Sequence, residues 1–425
     1  MKRAVAMILN CVAKINYDRT QMEILMYWSK IDKEAGKECA RKIADWIYNI
    51  QYPVTQSNPA AGSFPWEIHP RGVEQQANNW NMAFAIMGLL EASQEFQDDK
   101  YRLAALDMGR YLKTLQIFNP FLPRHYGAIR EMTPQTVWCY TRDALSAAWS
   151  FLRLYETTGD EEWFERARLW GEWFLKYGLD DEGWPHWGVF FEEPRPDDYI
   201  QMSPELQGCF QGGGLNFLYQ MARLSGDSRW IDREYLNIAD RLVDYIQQED
   251  GLFKTVVRDS KKPPAEDPQN GLHRINDDLN SLGLLSAFHV TGNHKYLNAI
   301  EKYINAAFDI FKSDGGFDAS RASIPIVLNI LHETEGILEC PAVTPEKTEL
   351  AFRKLLSAQS DGKTNRRMNG GIIEEEGRNF VCARSSCYAL IVLLKICAGV
   401  GGTLSATPFS IKRPLASDFA MQVQL

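Results

Sequence analysis

The sequence predicts an all-α protein in which about six helical hairpins form one closed ring. Three observations favour this fold class. A turn followed by an aromatic residue recurs along the chain, apolar residues within each repeat are spaced as on one face of a helix, and long loops follow every second helix. The chain of 425 residues is longer than an ordinary domain, but a repeated unit accounts for that length.

The repeat is clearest at its aromatic residues. Each follows a turn, as after Thr158-Gly159 and Ser225-Gly226, and the four stand at Tyr101, Trp163, Trp230 and Tyr296. Their separations are 62, 67 and 66 residues. A period of that length indicates one supersecondary unit that is repeated along the chain.

Each repeat is predicted to contain two helices, because residues such as Trp163, Ala167 and Trp170 fall on one helical face. The first set of helices is predicted near residues 80–96, 143–157, 214–225, 278–290, 322–335 and 386–398. The second set is predicted near residues 35–50, 100–117, 161–177, 229–248, 294–312 and 346–358. The first set is richer in small and apolar residues, so we expect it to form a buried inner ring.

The whole chain, residues 1–425, is predicted to form a single domain. We expect residues 1–30 to add an N-terminal helix on the outside and residues 403–425 to form a C-terminal tail. The basic and apolar start imitates part of a signal peptide, but no convincing cleavage site follows it, and the scattered cysteines fit reduced thiols. We therefore expect a cytoplasmic protein.

Charge and composition argue against several classes of partner. The formal net charge is -9 and no cluster of Lys and Arg stands out, so nucleic acid is not an expected partner. No stretch approaches the roughly 18 apolar residues of a membrane span, so no membrane partner is expected. The sequence shows no phosphate-binding loop and no metal-ligand spacing, so no metal and no cofactor are expected. The oligomeric state is left open.

Long loops lead from the second helix of one hairpin to the first helix of the next. They cover residues 51–79, 118–142, 178–213, 249–277 and 359–385 and are rich in Gly, Pro and aromatic residues. Long loops in a compact domain are usually functional. Because all of them follow the same kind of helix end, we expect them to gather at one mouth of the ring and to line one pocket.

The repeat over roughly residues 35–400 resembles the six-hairpin α/α toroid superfamily, which includes glycoside hydrolases, polysaccharide lyases, sugar epimerases and terpene-cyclase-like proteins. The stretch RINDDLNSLGLL at residues 274–285, with TGNHKY at residues 291–296, is similar to unsaturated glucuronyl and rhamnogalacturonyl hydrolases. In those enzymes an Asp that opens an inner helix is the proton donor. The resemblance implies an (α/α)6 toroid with long loops at one mouth, and it gives the role of proton donor to Asp277 or Asp278.

The candidate catalytic residues are carboxylates at the starts of inner helices: Asp277, Asp278 and Asp143. Sugar chemistry needs a carboxylic acid to protonate an oxygen and often a second carboxylate to handle water. Asp is also a favoured helix N-cap, so each of these residues has a purely structural alternative. The acidic run Glu374-Glu375-Glu376 is expected to be solvated.

The candidate substrate-binding residues are the aromatic, basic and polar side chains of the same loops. They are Trp66, His69, Trp138, Tyr140, Arg142, Trp184, His186, Trp187, Glu205, His273 and Arg274. Sugar rings stack on flat aromatic faces, and arginine pairs with the carboxylate of a uronic acid. Packing within the fold is the alternative explanation for each aromatic residue.

The leading hypothesis is a carbohydrate-active enzyme, either a glycoside hydrolase or a lyase, that acts on an acidic oligosaccharide by carboxylate acid and base catalysis. One alternative is a terpene-cyclase-like isoprenoid cyclase, which requires a dry aromatic cavity. Another is a non-catalytic toroid that binds a glycan or a peptide. The expected partner in the leading hypothesis is a small-molecule or oligosaccharide substrate.

Overall fold

The structure, a computed structural model, describes residues 27–55, 57–72, 74–181, 183–186, 188–191, 200–202, 206–253, 256–257, 275 and 279–410. Within these ranges the chain forms twelve α-helices and eight short strands. The prediction of an all-α class is therefore confirmed.

The helices follow one another in pairs. In chain order they are α1 (Lys33–Ile50), α2 (Asn79–Phe96), α3 (Asp99–Leu115), α4 (Thr141–Thr158), α5 (Glu161–Tyr177), α6 (Gly208–Ser225), α7 (Arg233–Arg241), α8 (Asn280–Thr291), α9 (His294–Asp309), α10 (Ser323–Glu333), α11 (Pro345–Ser357) and α12 (Ala383–Ala398). The even-numbered helices are the predicted inner set and the odd-numbered helices are the predicted outer set.

The inner helices form a closed ring. Each even-numbered helix packs against the next one, and α12 packs against α2 to complete the circle. Nearly every residue of α2, α4 and α12 is buried, because these helices have neighbours on all sides. The outer helices α3 and α5 bury one face only and expose charged residues on the other. The predicted division into inner and outer helices is confirmed.

Two predicted helices differ from the structure in detail. The outer helix expected at residues 229–248 is divided into a 3-10 turn (Ser228–Ile231), α7 and a π-helical turn (Leu242–Ile246). The inner helix expected from residue 214 already begins at Gly208. Apolar periodicity locates a helix well, but it does not detect a change in helix type or fix the first turn.

A glutamine and a glycine link successive outer helices. After α3, Gln116 Nε2 donates to the carbonyl oxygens of Gly127 (3.0 Å) and of Arg166 on α5 (3.0 Å). Gly127 has φ +95° and lies so close to α5 that a Cβ atom would come within 2.8 Å of the Leu169 carbonyl oxygen. Equivalent pairs of hydrogen bonds are made by Gln51, Gln247 and Gln359. The last of these reaches α1 and thereby joins the two ends of the outer ring.

The strands lie in the long loops. They are β1 (Pro65–Ile68), β2 (Glu74–Gln76), β3 (Trp138–Tyr140), β4 (Gly188–Phe191), β5 (Ile200–Met202), β6 (Leu206–Gln207), β7 (Val256–Val257) and β8 (Val381–Cys382). They pair antiparallel in three small sheets with the orders β2-β1-β8, β3-β4-β5 and β6-β7.

These sheets join neighbouring loops at one end of the ring. The strands β1 and β8 connect loops 51–79 and 359–385, β3 and β4 connect loops 118–142 and 178–213, and β6 and β7 connect loops 178–213 and 249–277. The expectation that the long loops gather at one mouth is confirmed. A sixth loop, residues 310–322, completes the set through a bridge between Ser320 and Glu375.

The opposite end of the ring is closed by the segment that follows α12. Glu91 on α2 accepts hydrogen bonds from the backbone N–H groups of Gly402 (3.2 Å) and Thr403 (2.9 Å). Lys395 Nζ donates to the Leu404 carbonyl oxygen (2.6 Å) and pairs with Glu333 (2.9 Å). The part of the expected tail that the structure describes, residues 403–410, is thus packed against the inner helices, with Leu404 fully buried.

Residues 1–26, which hold most of the expected N-terminal helix, and residues 411–425 lie outside the described residues. Six cysteines whose side chains the structure describes are buried free thiols: Cys39, Cys139, Cys340, Cys382, Cys387 and Cys397. Among the described helices, none is both long enough and apolar enough to cross a membrane.

Candidate active site

Asp143 lies in the first turn of inner helix α4, at the mouth, and is almost fully buried. Its Oδ2 accepts a hydrogen bond from Asn78 Nδ2 (3.1 Å). Asn78 is the N-cap of the neighbouring inner helix α2, where its Oδ1 accepts from the backbone N–H of Asn81 (3.0 Å). One asparagine therefore caps one inner helix and holds the carboxylate of the next.

Glu131, in loop 118–142, stands beside Asp143 and is buried. Its Oε2 accepts the backbone N–H of Tyr140 (2.9 Å), whereas no donor among the described residues reaches its Oε1. Burial raises the pKa of the Glu131 carboxyl well above its usual range, and the charge of Asp143 and a hydrogen bond to it raise this pKa further. These effects favour the protonated form of Glu131, in which the carboxyl group can donate a hydrogen bond to the carboxylate of Asp143.

Arg142 completes this cluster. Its guanidinium lies 4.1 Å from the centre of the Trp80 ring, donates to the Tyr388 hydroxyl oxygen (3.3 Å) and is 3.5 Å from Asp143 Oδ1. Trp80 and Tyr388 belong to the inner helices α2 and α12, so three inner helices contribute to one site. A buried carboxyl pair beside a fixed cation has the composition of an acid and base centre.

The structural alternative for the aspartates was helix capping. The N-cap of α4 is Tyr140, and no side-chain hydrogen bond caps this helix in the described part of the chain. The N-cap of α8 is Leu279, so this helix begins two residues later than predicted, after Asp277 and Asp278 rather than at them. Neither helix uses one of the three aspartates as its N-cap residue.

A second feature of the mouth is a cavity of about 530 Å³ between strand β1, residues 374–380 and the start of α12. Two predicted binding residues, Trp66 and His69, line it. His69 Nε2 is 3.1 Å from Glu67 Oε2, and its ring stacks on Phe380 with 5.0 Å between centroids. The cavity therefore combines aromatic walls with a histidine held by a carboxylate.

Glu374 also lines this cavity, and its expected solvation is wrong because the side chain is buried. Its carboxylate accepts hydrogen bonds from the hydroxyls of Ser320 (2.8 Å) and Ser385 and lies 3.8 Å from Arg384 Nη1. Ser320 comes from loop 310–322, and Arg384 and Ser385 are neighbours at the start of α12, so the local acidic run gives no indication of these partners.

The other described candidates have different surroundings. Trp138 and Tyr140 are half-buried on strand β3, with their ring centroids 4.9 Å apart. Trp184 is buried and packs against Arg241 and Tyr245, so little of its surface is left for a ligand. His186 donates its backbone N–H to the Gly178 carbonyl oxygen (2.9 Å).

The remaining candidates lie outside the residues whose side chains the structure describes: Asp277, Asp278, Trp187, Glu205, His273 and Arg274. The chain is described on both sides of the aspartate pair. Ile275 donates its N–H to Asp318 Oδ2 (3.2 Å), and its carbonyl oxygen accepts the Tyr303 hydroxyl (2.8 Å). Leu279 has φ +81°, a left-handed conformation that is strained for a branched side chain.

Sequence reasoning missed Glu131, Asn78 and Glu67. Glu131 is a single acid in a long loop, with no periodicity or motif around it that would indicate its burial beside Asp143. Asn78 does have a local signal, because Asn before an apolar helical stretch is a favoured N-cap. No group of three or more candidate metal ligands occurs in the described part of the chain.

No family model and no curated protein matches the sequence. Solved structures do match. A family 76 glycoside hydrolase from a bovine Bacteroides thetaiotaomicron strain is 14% identical with a TM-score of 0.62, covering 88% of this chain and 79% of that one. An unsaturated glucuronyl hydrolase specific for heparin is 14% identical with a TM-score of 0.62, covering 87% and 98%. Cellobiose 2-epimerase from Bacillus thermoamylovorans is 11% identical with a TM-score of 0.62, covering 84% and 96%.

This chain has the (α/α)6 toroid fold. The resemblance to the toroid superfamily is thus confirmed at the level of architecture. An inactive α-1,6-mannanase of Salegentibacter sp., in which two adjacent aspartates are replaced by asparagine, is a further match and holds α-1,6-mannotriose. It is 15% identical with a TM-score of 0.56, covering 85% of this toroid and 99% of its own chain. Three different sugar activities thus occur on this one fold, which shows that the fold alone does not fix the chemistry.

Proposed function

We propose that this toroid is a carbohydrate-active enzyme, a glycoside hydrolase or lyase that acts on an acidic oligosaccharide. The observation that carries the proposal is the buried pair of Glu131 and Asp143 at the mouth. A protonated carboxyl group beside a carboxylate is costly to bury, and structures retain such pairs where proton transfer is needed. The sugar enzymes that share the fold support the carbohydrate class.

The roles follow from the contacts. Asp143 is the carboxylate that handles water or removes a proton, and Glu131 and Asn78 are positioning residues behind it because both bond to it. Asp277 or Asp278 is the general acid, in the role that the family resemblance gives to an Asp before an inner helix. The bonds of Asp318 and Tyr303 to Ile275 anchor the chain just before these two residues.

The preference for an acidic substrate rests on Arg142. A guanidinium fixed by Trp80 and Tyr388 is an ordered donor that suits a uronate carboxylate. Trp66 and His69 line the cavity beside β1 and are proposed to bind sugar rings there.

The test is a panel of purified oligosaccharides in three chemical classes: unsaturated uronic, saturated uronic and neutral mannose-containing. We expect product release from a uronic class, and we expect Asp143→Asn to slow this release by a factor of about 10² to 10⁴. Asp277→Asn and Asp278→Asn separate the remaining roles, because only the general acid should lose turnover by a factor of about 10² to 10⁴. Turnover of neutral sugars alone would refute the acidic substrate, and turnover of an isoprenoid diphosphate without any sugar activity would refute the carbohydrate class.

A further inference from the structure

The paired strands β3 and β4 have one buried face and one aromatic face. Cys139, Val189 and Phe191 point into the protein and are buried. On the other face, Trp138 stands directly opposite Phe190, since the two are register partners, and Tyr140 follows Trp138 at the next same-face position.

This face is open. Phe190 is 44% exposed, although it lies in a strand whose neighbouring residues on either side are fully buried. Trp138 and Tyr140 are half-buried. The register partner of Tyr140 is Gly188, so no side chain from β4 covers the Tyr140 ring on that side. Adjacent aromatic rings on an exposed sheet face are typical of a surface that binds a ligand or a partner.

The aromatic face is continuous with the carboxyl pair. The backbone N–H of Tyr140 donates to Glu131 Oε2 (2.9 Å), and Asp143 lies one helical turn further along the chain. Burial raises the pKa of the Tyr140 phenol, and electrostatic interaction with the two carboxyl groups raises it further. An extended ligand bound at the carboxyl pair that passes over Tyr140 would next contact Trp138 and Phe190.

We infer that Trp138, Tyr140 and Phe190 form a stacking platform for further sugar units of a chain whose reactive bond lies at Asp143, so that the preferred substrate is longer than a disaccharide. This inference rests on the proposed function and extends it to substrate length. Along β3, the rise from Tyr140 to Trp138 is about 7 Å, enough to move from one pyranose ring toward the next. Aromatic rings bind the C–H faces of pyranoses without requiring one particular pattern of hydroxyls.

The experiment uses two series of sugars, oligogalacturonates and α-1,6-mannooligosaccharides, each from the disaccharide to the hexasaccharide. Both turnover and binding are measured for every length. Turnover uses the parent protein, and calorimetry uses the Asp143→Asn protein. Affinity should rise with length beyond the disaccharide. Phe190→Ala should weaken binding of the longer chains about two- to tenfold and flatten the length dependence. Phe190→Trp keeps an aromatic ring at this position and should therefore keep the length dependence of the parent.

Tyr48→Ala is the matched control, because Tyr48 is similarly exposed (42%) but lies on outer helix α1. It should bind all lengths as the parent does. If the protein cleaves these sugars but length and Phe190 have no effect, the platform is refuted and the proposed function stands. If length-dependent, Phe190-sensitive binding occurs without turnover, the platform stands and the enzymatic function is refuted. If no sugar is bound at all, both are refuted.

Discussion

Replacing Glu131 by Gln tests whether a proton is held between the two buried carboxyl groups. Glutamine has nearly the same shape, its carbonyl oxygen can accept the Tyr140 N–H, and its amide can donate to Asp143, so both hydrogen bonds of the protonated Glu131 are kept. The substitution therefore removes the titration of Glu131 and little else.

The sign and size of the effect follow from linkage. The pKa of Glu131 is raised in the folded protein, whereas in the unfolded chain the carboxyl loses its proton above about pH 4.3. Between these two pKa values the folded state binds more protons, so its stability falls as pH rises, by at most about 1.4 kcal/mol per pH unit. The Glu131→Gln protein has no carboxyl group at this position, so its stability does not fall with pH for this reason. Relative to the parent, the free energy of unfolding of the Glu131→Gln protein should therefore increase as pH rises above about 4.3, and this gain should stop once pH passes the raised pKa of Glu131.

Urea unfolding followed by circular dichroism at several pH values measures this difference. Glu34→Gln, at a side chain that is 86% exposed, is the control and should follow the parent at every pH. A difference between Glu131→Gln and parent that is the same at all pH values would show that Glu131 is ionised in the folded protein. The interpretation of the carboxyl pair would then be wrong.

Further substitutions test the packing of the ring and the role of Arg142 in substrate binding. Gly127→Ala should lower the free energy of unfolding by about 2 to 4 kcal/mol, because φ is +95° and the new Cβ atom would meet a carbonyl oxygen. The control is Gly159→Ala, where φ is +69° but no atom lies near the new Cβ, and thermal unfolding should show a loss of only about 1 to 2 kcal/mol. Lys395→Met should lower the free energy of unfolding in urea by about 3 to 5 kcal/mol, because it leaves Glu333, whose side chain is only 12% exposed, without its cation. Adding Glu333→Gln should recover part of this loss. Arg142→Lys should lower kcat/KM for a uronic substrate about tenfold, because an ammonium group cannot both stack on Trp80 and donate to Tyr388 as the planar guanidinium does. An unchanged kcat/KM would show that Arg142 does not bind the substrate.

The fold could be predicted from the sequence because each helical hairpin repeats a local pattern. Apolar spacing and the recurrent turns indicated twelve helices, and the all-round apolar character of segments such as residues 80–96 placed them in the inner ring. The interruption at the end of α7 was not predictable in this way, since a π turn leaves the same apolar pattern.

The site could be predicted only in part. Asp143 and Arg142 follow a long loop and open an inner helix, which is a local signal, and the structure places them together at the mouth. Tyr388 and Ser320 come from distant parts of the chain, so only the closed ring brings them to Arg142 and Glu374. The same holds for Phe190, which becomes part of an aromatic face only through its pairing with Trp138. Glu131 and Ser385 lie only 12 and 11 residues from Asp143 and Glu374, but no local motif marks either pair.

The turnover of Asp143→Asn tests the central claim most directly, since it removes one charge from the carboxyl pair and retains the size of the side chain. On any oligosaccharide that the parent cleaves, we predict that kcat falls by a factor of about 10² to 10⁴ while thermal unfolding and oligosaccharide binding remain close to those of the parent. Near-parental turnover in a folded Asp143→Asn protein would contradict the account, because the carboxyl pair would then have no part in the reaction.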